Sequence, residues 1–113
     1  MSDTLTAEDA KLITLARAAR ARGGAAEGAA VRDGDGRTYA GTSVNLPSLS
    51  LTALQFAVAA AVNGGADEIE AAVVVSEAST LDGSGVAAVR DITARAPIHL
   101  AAPNGDILTT VTV

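Results

Sequence analysis

The sequence predicts a mixed α/β domain in which helices cover a sheet and the elements follow as α-β-β-α-β-α-β-β. Three observations lead there. Leu12, Ile13, Leu15, Ala16 and Ala19 recur at helical spacing near the start of the chain. Val73-Val74-Val75 is a β-branched run without alternation, the pattern of a strand buried on both faces. Asp33-Gly34-Asp35-Gly36 and Asn104-Gly105 supply the positive φ angles that hairpin turns need. With 113 residues, the expectation is one domain over residues 1–113.

Taken in order, Thr6 caps a first helix that carries Glu8 and Asp9 in its first turn and runs to about Arg22, where Gly23-Gly24 stops it. Ala29 to Arg32 and Thr38 to Ser43 form a hairpin. From Ser50 to Asn63, Ala, Leu, Phe and Val leave only Gln55 and Asn63 as polar interruptions. A helix apolar all round belongs at the centre of its domain, against another subunit, or both. Ser48 and Ser50 read as its caps rather than as nucleophiles, since no base adjoins them. Ile69 to Val75 is a buried strand. Asp82 or Ser84 starts a third helix reaching about Arg95, and Pro97 forbids its continuation. Ile98 to Ala102 and Ile107 to Val113 close the chain as antiparallel neighbours.

Composition excludes several function classes. There is no cysteine, so thiolate nucleophiles, disulfides and Cys-ligated metals are ruled out. The formal net charge is −5, which argues against a nucleic-acid groove. The basic group Lys11, Arg17, Arg20 and Arg22 reads as a solvated helix face. Met1 to Thr4 lacks the features of a signal peptide and no apolar run reaches bilayer length, so a cytoplasmic protein without membrane contact is expected. Aromatics are nearly absent: Tyr39 and Phe56 are the only ones. Gly34-Asp35-Gly36 and Gly83-Ser84-Gly85 lack the lysine of a phosphate loop. Asp67, Glu68 and Glu70 read as a solvated loop. His99, the single histidine, reads as a hydrogen-bonded structural imidazole ahead of a catalytic base.

Several local strings carry a resemblance. Gly28-Ala29-Ala30-Val31, then Arg37-Thr38-Tyr39-Ala40-Gly41-Thr42-Ser43-Val44, then Ser48, Leu51, Thr52, Val58 and Ala59, and finally Ala101-Ala102-Pro103-Asn104-Gly105-Asp106 resemble, in this order, motifs of the cytidine deaminase superfamily. The resemblance spans roughly residues 10 to 112 and implies a three-layer α/β/α fold with a mixed five-stranded sheet. The antiparallel last hairpin points to the small homotetrameric cytidine deaminase branch.

That family holds zinc with three Cys or His ligands and moves protons with a glutamate that does not ligate. Its Cys- or His-Ala-Glu triplet corresponds here to Leu54-Gln55-Phe56. The two ligands of its Pro-Cys-x-x-Cys motif correspond to Asp82 and Gly85. Leu54 cannot ligate and Phe56 cannot carry a proton. Asp82 alone has a donor, and it reads as a helix cap. The nucleoside-holding positions correspond to Ser43 and Asn45, and the stacking aromatic to Ala25. Phe56 is expected to fill the vacated space.

The resemblance thus implies a zinc-free homologue with no cofactor and no zinc-dependent deaminase activity. Its expected role is that of a self-associating binding or regulatory protein, a dimer or tetramer through the apolar central helix, with room for an unidentified protein partner. The alternatives are a related nucleoside deaminase or other enzyme, and a nucleoside sensor using a relic pocket of Ser43, Asn45, Phe56 and Asp82.

Overall fold

The computed structural model describes residues 6–113, so the reading of Met1 to Thr4 lies outside the described residues. Helix α1 (Ala7–Gly23) begins where Thr6 Oγ1 accepts the Asp9 N–H at 3.0 Å, and ends where Gly24 turns left-handed at φ 59°. Strands β1 (Glu27–Asp33) and β2 (Thr38–Thr42) pair antiparallel. Two further strands, β3 (Val44–Leu46) and β4 (Leu49–Leu51), form a separate small hairpin around Pro47-Ser48.

That hairpin corrects the expected start of the central helix. Ser50 lies in β4, and α2 (Ala53–Asn63) starts three residues later, with Thr52 as its cap. Thr52 Oγ1 accepts the Gln55 N–H at 3.1 Å while Gln55 Oε1 accepts the Thr52 N–H at 2.9 Å. This reciprocal capping box satisfies two helix donors at once, which neither Ser48 nor Ser50 is placed to do.

Strand β5 (Ile69–Ser76) is buried on both faces except at Glu70. Helix α3 (Gly83–Ile92) is capped by Asp82 and ends three residues before the expected Arg95, because Thr93 is already extended. Strands β6 (Pro97–Ala101) and β7 (Ile107–Thr112) complete the sheet, whose order is β2-β1-β5-β6-β7. Only β5 and β6 run parallel; β6 and β7 are antiparallel across the Asn104-Gly105 turn, with Gly105 at φ 98°.

The sheet is therefore mixed and sits between two helical layers. On one face α1 places Leu12, Ile13 and Ala16 against Ala30, Ala71, Val73 and Val75. On the other, α2 and α3 place Leu54, Ala57, Val58 and Val89 against Val31, Val74, Ile98 and Leu100. Alternation along each strand assigns these faces, and a core of small aliphatic side chains lets the layers approach closely. Among the described residues, no helix is long and apolar enough to cross a membrane.

Candidate functional site: a closed cleft between two helix starts

The first turns of α2 and α3 converge on one face of the sheet. A cavity of about 10 Å³ lies between them, bordered by Leu54, Val74 and Gly85 and by the polar residues Glu27, Thr52 and Asp82. That volume holds about one water molecule. Leu54 closes the space. It is almost fully buried, and a Cβ added to Gly85 would lie 3.0 Å from the Leu54 Cβ.

Asp82 borders the same cavity, with one oxygen of its carboxylate already engaged. Oδ1 accepts the Ser84 N–H at 2.8 Å and the Ser84 hydroxyl at 2.6 Å. These two donors hold the Asp82 carboxyl below the usual carboxylate range. The geometry is that of a helix cap.

The other site residues named from the sequence lie elsewhere. Ser43 Oγ accepts the Glu27 N–H at 3.4 Å, and Asn45 is exposed on β3. Phe56 does not enter the cavity. Its ring rests against Gly41 of β2, where a Cβ would come within 2.6 Å of it, and it stays 37% exposed. The expectation that Phe56 fills the vacated space is thus corrected: Leu54 occupies the space between the helix starts. Residues two apart on a helix do not face the same way, so Leu54 and Phe56 part company.

On the opposite face, a polar cluster with a buried centre joins five elements, α1, β1, β5, β6 and β7. His99 on β6 is hydrogen-bonded at both ring nitrogens, Nδ1 to Thr110 Oγ1 at 2.8 Å and Nε2 to Asp9 Oδ2 at 3.0 Å. Arg32 on β1 places Nη2 2.9 Å from Asp9 Oδ1, close enough for an ion pair but out of line for a hydrogen bond. Its Nε donates to Glu70, and its buried Nη1 has no partner among the described residues. Burial opposes the ionisation of Asp9, yet the His99 hydrogen bond and the Arg32 guanidinium outweigh it and lower its pKa.

Glu70 therefore does not belong to a solvated acidic loop. The register slips between Arg32 and Asp33, leaving Glu70 as the extra residue of a bulge that brings it to Arg32. Sequence reasoning missed this cluster because Asp9 is a normal first-turn acid. The available signal was its place three residues ahead of Leu12, on the buried stripe of α1. Arg17 and Arg20, read as solvated, donate to the carbonyls of Pro103 and Ala26.

A second carboxylate organises the β1–β2 turn. Asp33 Oδ1 accepts the N–H groups of Asp35 and Arg37, both at 2.9 Å, and Oδ2 accepts the Tyr39 hydroxyl at 2.9 Å and Arg37 Nε at 3.1 Å. Desolvation would raise the Asp33 pKa, but these donors together lower it. Among the described residues, no group of three His, Cys, Asp or Glu side chains could hold a metal ion.

The profile of the family described as cytidine deaminase-like matches residues 5–105. No curated protein sequence matches the chain. A cytidine deaminase from Burkholderia pseudomallei superposes with a TM-score of 0.80 at 23% identity, covering 96% of this chain and 93% of that one. A cytidine deaminase from Mycobacterium leprae gives a TM-score of 0.70 at 21% identity, covering 96% and 94% of the two chains. At these identities the likeness is one of fold.

Proposed function

Because this chain belongs to the cytidine deaminase-like family, we propose that residues 1–113 form one domain that keeps the family's fold without its zinc chemistry and works through binding and self-association. The observation that carries this reading is the packing of Leu54 on Gly85 beside Asp82. These three positions correspond to the family's ligands, and they meet around one cavity, which supports the register of the resemblance. They do not fit zinc. Leucine and glycine offer no side-chain donor, Asp82 holds Ser84 through Oδ1 and would be a lone ligand through its other oxygen, and the chain's single histidine lies across the sheet.

The glutamate position holds Phe56, which cannot shuttle a proton. A cavity of about 10 Å³ is also far below the roughly 300–1,000 Å³ of a small-molecule pocket. The nucleoside-sensor reading has less support, since Ser43 Oγ already accepts a backbone N–H and Asn45 stands on the exposed hairpin.

Metal analysis of protein purified without chelator is expected to give far less than one zinc per chain, with no uridine formed from cytidine above the protein-free rate. Stoichiometric zinc, or enzyme-dependent uridine, would reverse the assignment.

Self-association is supported by the outer side of α2, where Phe56, Ala59 and Val62 follow at three-residue spacing and Val62 is 52% exposed. Leu46 and Leu49 of the neighbouring hairpin are exposed as well. Apolar surface of this kind marks interaction sites. Sedimentation of the wild-type chain should show a dimer or tetramer, and Val62→Glu should shift it to monomer with its melting temperature nearly unchanged at low concentration. A wild-type monomer at every concentration would remove the oligomeric part of the proposal and leave the zinc-free part standing.

A further inference from the structure

The line of hydrogen bonds from Asp9 through His99 to Thr110 has a defined direction. An ionised carboxylate only accepts, so Asp9 Oδ2 takes its hydrogen bond from the His99 Nε2–H. In the neutral ring this leaves the lone pair on Nδ1, and the Thr110 hydroxyl must be the donor across the 2.8 Å contact. A hydroxyl that donates to an imidazole, itself oriented by a buried carboxylate, is the arrangement that activates hydroxyl nucleophiles.

Two carboxylates, Asp9 and Glu70, and the Arg32 guanidinium form the charged cluster on which the ring rests. Access is also present. Thr110 is exposed on β7, the edge strand of the sheet, while His99 behind it is buried.

The backbone adds a donor. Val113 N–H donates to Ala96 O across the β6–β7 pair. Alternation of an antiparallel ladder then turns the Thr110 N–H out of the sheet, where β7 has no strand partner among the described residues. It is available to a developing oxyanion.

We propose that Thr110 Oγ1 is an activated hydroxyl nucleophile that takes small acyl groups from activated esters, on the sheet face opposite the Leu54–Gly85 cleft. With p-nitrophenyl acetate, the Thr110 Oγ1–carbon bond forms and the ester carbon–oxygen bond breaks. The p-nitrophenolate leaves with the electron pair, and the hydroxyl proton passes to His99 Nδ1 and from there to solvent. This site goes beyond the zinc-free reading and does not depend on it.

The strand carries its own controls, since Thr109 and Thr112 are exposed beside Thr110 but have no histidine partner. The full chain is treated with p-nitrophenyl acetate and the acetyl groups are mapped by peptide mass spectrometry. Thr110 should acquire a hydroxylamine-labile acetyl ester at least about tenfold faster than Thr109 or Thr112, a modest share of what a positioned general base supplies. His99→Gln should bring Thr110 down to the rate of its neighbours, and Thr110→Val should remove the label from that peptide. Equal labelling of the three threonines in the wild-type chain, or label confined to Lys11 and the amino terminus, would overturn the proposal. That comparison holds even if the His99 variant fails to fold.

Discussion

Gly28→Ala is expected to destabilise the protein by about 3 kcal/mol, the upper part of the usual range for an overpacked interior, seen as a fall of about 15 °C in melting temperature. The cause is a close approach of two backbones. A Cβ at Gly28 would lie 2.1 Å from the Ala16 carbonyl oxygen and 2.7 Å from the Arg20 nitrogen, both in α1. No rotamer can relieve a clash with main-chain atoms, so α1 must lift from the sheet. Lifting it opens the layer formed by Leu12, Ile13 and Ala16. Gly83→Ala is the matched control, because nothing lies within 4 Å of a Cβ there. It should change stability by less than about 0.5 kcal/mol. A Gly28→Ala protein that melts with the wild type would disprove the contact.

Asp9→Ala should cost about 3–5 kcal/mol, the usual effect of removing one partner from a buried ion pair. It leaves the Arg32 guanidinium buried, with Glu70 as its remaining counter-charge at the surface, and takes the acceptor from His99 Nε2. The double variant Asp9→Leu/Arg32→Met should recover most of the loss, since it removes both charges together. If the double variant is as unstable as the single one, unpaired charge is not the cause.

The pH dependence carries a sign. The folded-state pKa of Asp9 lies below its ordinary value, so its contribution is complete above the unfolded value, about pH 4, and is lost as the pH falls through the lowered folded value. Thermal melts should therefore show a smaller loss of stability on acidification in Asp9→Ala than in the wild type. Asp33, whose pKa is lowered as well, titrates in the same region and keeps the variant's slope from vanishing. An acid limb of equal steepness in both proteins would show that Asp9 does not titrate as described.

These two sites mark where the sequence was legible and where it was not. Thr6, Gly24 and Asp82 act through neighbours a few residues away, and each terminates or starts its helix as read. The Asn104-Gly105 and Asp33 to Gly36 turns are equally local, and both hairpins form. The β3–β4 hairpin was missed because Pro47-Ser48 carries no glycine, although Val44, Leu46, Leu49 and Leu51 alternate as strand residues do.

The sequence by itself determined the order of the three helices and of the five strands of the main sheet, and the want of thiolate and of a second imidazole with which a zinc site could be built. Those follow from periodicity, turn chemistry and residue inventory, which are properties of short stretches or of the chain as a list. The tertiary structure alone decided that Leu54 rather than Phe56 closes the cleft, that Glu70 answers Arg32, and that Asp9, His99 and Thr110 form one line of hydrogen bonds. Each of these rests on the direction of a side chain across elements up to 90 residues apart, set by helix rotation and by a single register slip, and such directions have no local signature.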